Sequence, residues 1–261
     1  MTTRTHDVFA GSRFISSITE LVRAQGITLE TGSDFREWRE ILKGQPERNA
    51  LAPKFDPERN DLNEATAFWI MGRDPQGEIV HTQAARTIDL GGHSLANYLQ
   101  ASFCEFTPAG YEIDKARSLY RSAPGSRAIT GNVCYHGELW LKGGPGGYRG
   151  HGLTAALPRL ALALAHMAWS PDYMFGLVHP MAACRGLAAR EGYMHLEPGG
   201  ILWQRKDRDE IYDEWMVWMS HSDLEYLLRF PPIQLYEQLE AKNKTGGKEN
   251  AAFTSRVRAA A

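Results

Sequence analysis

Cysteine is scarce in this 261-residue chain. Cys104, Cys134 and Cys184 lie far apart, and no CxxC pair occurs. An odd, scattered set gives neither a disulfide framework nor a zinc-ligand pattern, and it fits three reduced thiols. The histidines His81, His166, His179 and His195 lack metal-ligand spacing as well, so no metal is expected. No run comes near the roughly 18 uninterrupted apolar residues of a membrane span. The opening Met-Thr-Thr-Arg-Thr-His-Asp has no apolar signal core, which points to a cytoplasmic protein. A formal net charge of −2 leaves no global attraction to nucleic acid or an anionic membrane. With 43% hydrophobic and 23% charged residues, the chain can bury a sizeable core.

Apolar spacing predicts a helix over 14–24, after a loose lead-in at 1–11. A short strand is expected at 27–31. A helix over 35–43 follows, capped by Ser33 or Asp34 and stopped at Gly44. Strands at 65–71 and 78–88, joined by Arg73-Asp-Pro-Gln-Gly77, predict a hairpin. Ser94 caps a further helix, and 106–127 reads ambiguously. The stretch 128–141 alternates as a strand, with Val133, Tyr135, Leu139 and Leu141 on one face and Cys134, His136, Glu138 and Trp140 on the other.

Six glycines and a proline then fall within 143–152, followed by an Ala/Leu-rich helix over 153–169. Pro158 inside it predicts a kink or a delayed start. A buried strand at 173–178 leads to a helix over 181–190 that Gly192 closes. Strands at 193–196, 201–204 and 215–219 and a helix capped by Ser222 complete the order. The expected fold is α/β (α+β), with a mixed, mostly antiparallel sheet flanked by helices. It divides into a helical lead-in over 1–26, one domain over 27–239 and a flexible tail over 240–261.

Chemistry concentrates where the strand ends. A glycine-rich turn that opens a helix is an anion site, because the first helical N–H groups point outward and the macrodipole adds about half a positive charge. Gly147, Gly150 and Gly152 free the backbone, and Arg149 adds a cation. No Lys-Ser or Lys-Thr stands at the helix start, so a nucleoside triphosphate loop is excluded. Gly150-His-Gly152-Leu-Thr-Ala155 formally matches a dinucleotide fingerprint, which keeps an NAD(P)-dependent oxidoreductase as an alternative. The strand–helix repeat that such a fold needs is missing.

Arg149-Gly-His-Gly152, after a strand and before an Ala/Leu-rich helix, resembles the pyrophosphate loop of the GCN5-related N-acetyltransferases (GNATs). The element order over roughly 27–220 carries most of that resemblance. Thr154 replaces the motif's last small residue, and the junction 142–147 is longer than usual. The resemblance implies a GNAT-like fold that binds acetyl-CoA or another acyl-CoA as co-substrate. The implied binding residues are Leu139, Trp140, Leu141, Gly147, Tyr148, Arg149, Gly150, His151, Gly152, Leu153 and Thr154. It also implies transfer of the acyl group to a small amine by direct attack, with a backbone N–H near Leu139–Leu141 on the thioester oxygen.

His136 and Glu138 are the candidate bases, alongside a structural reading as a hydrogen-bonded histidine and an ion pair. The family's acid is a tyrosine four residues before a Gly-aromatic pair. Here the pair is Gly192-Tyr193, and the tyrosine position holds Ala188. Cys184 and Tyr193 are the substitute candidates, and both also read as packing residues. A non-catalytic acyl-CoA-binding protein therefore stays open, as does a homodimer. Phe55-Asp56, Phe68-Trp-Ile70 and Arg73-Asp-Pro-Gln-Gly-Glu78 further resemble the acyl-homoserine-lactone synthases, which share the fold.

Overall fold

A computed structural model describes residues 5–45, 50–149 and 152–229. The chain begins with helix α1 (Thr5–Ala24), strand β1 (Thr28–Gly32) and helix α2 (Phe35–Lys43). The hairpin strands β2 (Ala67–Arg73) and β3 (Ile79–Asp89) follow, then α3 (Leu95–Ser102) and β4 (Ile113–Tyr120). The central unit is β5 (Asn132–Leu141), α4 (Leu153–Trp169) and β6 (Tyr173–Val178). Short helices α5 (Pro180–Cys184) and α6 (Leu187–Glu191), strands β7 (His195–Arg205) and β8 (Ile211–Ser220), and α7 (His221–Leu228) close the order.

Eight strands form one sheet in the order β1-β2-β3-β5-β6-β8-β7-β4. Each neighbouring pair is antiparallel except β5 and β6, where α4 makes the crossover a parallel pair requires. The sheet is therefore mixed and mostly antiparallel, as the element order predicts. A doubly wound parallel sheet, which the dinucleotide alternative needs, is not present among the described residues.

Helices cover both faces. Phe14, Ile18 and Val22 of α1 pack with Leu157, Leu160 and Ala161 of α4, Met174 and Val217 on one side. Phe35, Trp38 and Leu42 of α2 pack with Phe55, Leu95, Phe106, Tyr135, Phe175 and Trp203 on the other. Asp34 caps α2 by accepting from the N–H groups of Arg36 and Glu37, at 2.9 and 3.0 Å, as its position before an apolar run predicts.

Several local expectations are corrected. The first helix begins at Thr5, so it replaces most of the loose lead-in. The ambiguous stretch contains β4, an edge strand whose Lys, Arg and Asp hid its period. The helix α4 starts at Leu153 and runs through Pro158 to Trp169; its neighbours' burial holds it in place of propensity. The helix expected over 181–190 is broken into α5 and α6 by Gly186, at φ 74°. Strand β7 runs unbroken in sequence across Pro198-Gly-Gly200, with a register shift between Glu197 and Ile201. Ser220, not Ser222, caps α7 through a capping box with Asp223. The tail over 240–261 lies outside the described residues.

Candidate active site

The site begins where the parallel pair ends. Strands β5 and β6 pair at Val133 with Tyr173, Cys134 with Met174 and Tyr135 with Phe175. Beyond those residues β5 continues to Leu141 against β3 and β6 to Val178 against β8, but they no longer pair with each other. The strands part, and a cavity of about 380 Å³ opens beside them. His136 to Trp140 line one wall and Gly176 to His179 another; Glu191, Tyr193, Tyr212 and Glu214 complete it.

A bulge shapes the β5 wall. The register against β3 shifts between Thr82 and Ala84, opposite 137–140, and Glu138 adopts a left-handed φ of 57°. One extra residue on a strand reverses which face the later side chains take. Leu141 accordingly joins Cys134 on the α4 side, while Trp140 packs with Val133 and Tyr135 on the other. This corrects the simple alternation read from the sequence. It also separates His136 from Glu138, which were expected on one face. The Glu138 carboxylate turns toward the strap before the 3₁₀ turn Pro53–Phe55 and accepts from the Ala52 N–H at 2.7 Å.

His136 is buried and bonded at both ring nitrogens. Gln83 donates through Nε2 to the Leu157 carbonyl at 2.7 Å, so its oxygen is what faces His136 Nε2, at 3.1 Å. That requires Nε2 to carry the proton. Nδ1 then accepts from the Tyr193 hydroxyl at 3.2 Å. Burial pushes the imidazole pKa down to about 4, so the ring is neutral at pH 7. Burial also raises the Tyr193 phenol well above its ordinary value. The two candidates for base and acid are thus hydrogen-bonded to each other.

Two carboxyls that the sequence reading missed share the cavity. Glu214 is 6% exposed; its Oε2 accepts from Trp203 Nε1 at 2.8 Å, and burial pushes its pKa up to about 7. Glu191 is 3% exposed and has no hydrogen-bond partner among the described residues. Burial pushes it up to about 8, against a smaller opposing effect of Arg190. The only sequence signal for Glu214 was a carboxylate beside an apolar strand run, and for Glu191 its place against the closing Gly192.

Cys184 is exposed and does not line the cavity. The Gly186 break separates it from the helix turn that carries Ala188, so the two do not lie on the one continuous helix expected over 181–190. Ala188 itself is buried.

The turn after β5 folds back on the strand end. Lys142 N–H donates to Val80 at 2.8 Å, Tyr148 N–H to Lys142 at 2.9 Å and Gly147 N–H to Gly144 at 3.0 Å. A Cβ on Gly147 would lie 2.5 Å from the Gly143 carbonyl carbon, so this glycine serves the turn's own packing. Arg149 is exposed, and its Nε donates to the Leu141 carbonyl at 3.1 Å. Gly152, at φ 73°, is the N-cap of α4 and offers no side chain; the first turn holds no acid. The N–H groups of Ala155 and Ala156 reach the Gly152 carbonyl, and those of Leu153 and Thr154 precede any intrahelical partner. Leu139 and Trp140 line the cavity, whereas the described residues of 147–154 do not. Gly150 and His151 lie outside the described residues. No group of His, Cys, Asp or Glu suited to a metal occurs among the described residues, and no described helix is long and apolar enough to cross a membrane.

No protein-family model matches the chain, and no curated protein matches it. Among solved structures it is similar to a point mutant of the spermidine N-acetyltransferase SpeG from Vibrio cholerae. That match has 12% identity and a TM-score of 0.41, over 77% of this chain and 96% of the other. Similarity to the Vibrio cholerae spermidine/spermine N-acetyltransferase SpeG in complex with manganese ions is 11% in identity, with a TM-score of 0.42, over 78% and 97% of the two chains. With a parallel pair that parts after a bulged strand, and a glycine-entered helix crossing between its strands, the chain has the mixed, mostly antiparallel α/β fold that its element order predicts.

Proposed function

We propose that the chain is an acyl-CoA-dependent N-acyltransferase. The observation that carries this reading is the parting of β5 and β6 beyond Tyr135 and Phe175. An acyl-pantetheine arm is a thin chain of amides. It can lie in such an opening and hydrogen-bond to strand edges that no longer pair with each other. The carbonyls of Glu138 and Trp140 are taken up on the β3 side, by Thr82 Oγ1 at 3.0 Å and His81 Nδ1 at 2.8 Å. By strand alternation the backbone of Leu139 turns to the open edge, where its N–H can meet a thioester oxygen. Arg149 and the uncapped start of α4 supply the anion site for the pyrophosphate.

Transfer forms a C–N bond and breaks a C–S bond. An ammonium acceptor gives up two protons: one ends on sulfur and the other leaves to solvent. Glu214, with a pKa of about 7, suits the base that takes the first, because a catalytic pKa near the working pH balances availability against strength. Glu191, at about 8, keeps its proton at neutral pH and can hand it to the thiolate. In this scheme His136 positions Tyr193 and takes no proton itself.

Titration calorimetry with coenzyme A, acetyl-CoA, longer acyl-CoAs and NAD(P) tests the reading. Binding of an acyl-CoA, and thiol release in the presence of amines, is expected. Binding of NAD(P) alone would overturn it. Acyl-CoA binding without thiol release across a broad amine panel would leave the non-catalytic reading in its place.

A further inference from the structure

The cavity's charges are one-sided. Glu138 and Glu214 line it beside Glu191, which holds its proton at neutral pH, and no lysine or arginine lines it among the described residues. Its two histidines carry no charge at neutral pH. His136 is neutral for the reasons given above. His179 is pushed down by burial, and its Nδ1 is occupied by the Met181 N–H at 3.0 Å. A small recess adjoins the mouth, and the cation that borders it is Arg205. Arg205 is paired with Asp207 and Glu210 and lies 4.7 Å over the Tyr111 ring. A carboxylate entering the cavity would therefore find no free cation among the described residues and would face like charge. An ammonium would find Glu214, whose Oε1 has no hydrogen-bond partner among the described residues.

An aromatic cluster lies where the cavity meets the recess. Tyr111 and Tyr212 have ring centroids 5.8 Å apart, and His179 lies 4.8 Å from Tyr212. All three border both the cavity and the recess that continues it toward Arg205. Flat apolar groups gain contact area and ring-edge attraction against such a cluster.

Resting on the acyltransfer reading, we propose that the acceptor is a primary amine on an aromatic or similarly flat apolar body, without a carboxylate. Its ammonium would lie against Glu214 and its body against the aromatic cluster of Tyr111, Tyr212 and His179. Free amino acids and peptide-like acceptors with a nearby carboxylate are disfavoured by charge.

The test uses the full chain with acetyl-CoA and four acceptors: 2-phenylethylamine, L-phenylalanine, L-phenylalaninamide and ethylamine. Acetyl-CoA binding is measured first by calorimetry, so that a failure there, which overturns the acyltransfer reading and this proposal together, is told apart from a failure of the acceptor class alone. Expected is a kcat/KM for 2-phenylethylamine about a hundredfold above that for L-phenylalanine. The amide should recover most of the loss, and ethylamine should fall about tenfold below 2-phenylethylamine. Tyr212→Ala should raise KM for 2-phenylethylamine and leave KM for ethylamine unchanged. Binding of each amine to the CoA-loaded protein, read by calorimetry, should follow the same order. L-Phenylalanine matching or exceeding 2-phenylethylamine, ethylamine equalling it, or a Tyr212→Ala effect shared by both amines would each overturn the assignment.

Discussion

The Tyr193 hydroxyl donates to His136 Nδ1 at 3.2 Å, in a bond whose direction is set one residue further away, by Gln83. The Gln83 amide must donate to the Leu157 carbonyl, which leaves its oxygen to accept from His136 and fixes the tautomer. All three side chains are at least nine-tenths buried. The chain of bonds ties strands β3 and β5 to α4 and to the segment after α6 beside the cavity.

Tyr193→Phe removes the donor and leaves His136 Nδ1 buried without a partner. The expected cost is about 1–3 kcal/mol, measured by urea denaturation at pH 7. An unchanged midpoint would show that the bond contributes nothing net.

Arg149→Glu reverses a charge on an exposed side chain, so folding should change little. Affinity for coenzyme A should drop at least about tenfold, because charge-assisted contacts to phosphate are among the stronger polar interactions. Calorimetry alongside a thermal melt separates the two effects. Equal affinity in the variant would remove the turn from the phosphate site.

Glu214 holds its proton up to about pH 7 in the folded chain, against an ordinary 4.5. The folded state therefore binds more protons than the unfolded state between those values, and stability falls as pH rises across that window. Glu214→Gln removes this dependence. Relative to the parent, the variant should gain on the order of 3 kcal/mol between pH 4.5 and pH 7.5, levelling off above. Its activity should lose the rise through about pH 7 that a base with this pKa produces. A parent and variant with parallel stability profiles would contradict the assignment.

Cys184 is exposed, whereas Cys134 is fully buried and its thiol is pushed up by burial. An aromatic disulfide reagent should label Cys184 rapidly in the native protein and reach Cys134 only on unfolding. Cys184→Ser should leave acyl transfer unchanged, since its side chain lies outside the cavity. Loss of activity in that variant would place the thiol in the reaction.

The candidate site was partly legible in the sequence. The strand, turn and helix order from Asn132 to Trp169 was plain, because alternation, clustered glycines and an apolar helical run each have a local cause. Glu214 and Glu191 were not legible. What raises them is burial against parts of the chain distant in sequence, and no local pattern reports that. The parity of β5 was misread for a related reason: a bulge is a relation between two strands, visible only once β3 is laid against β5.

By itself, then, the sequence determined most of the elements and the mixed sheet, and it marked the turn before α4 as a candidate anion site, since propensity, capping and periodicity act over a few residues. The tertiary structure alone decided where β5 and β6 part, which face Glu138 takes, that His136 and Tyr193 spend their polar groups on each other, and that the cavity is lined by carboxyls without a cation among the described residues. Those properties depend on desolvation and on register between strands, and both arise only when separate parts of the chain meet.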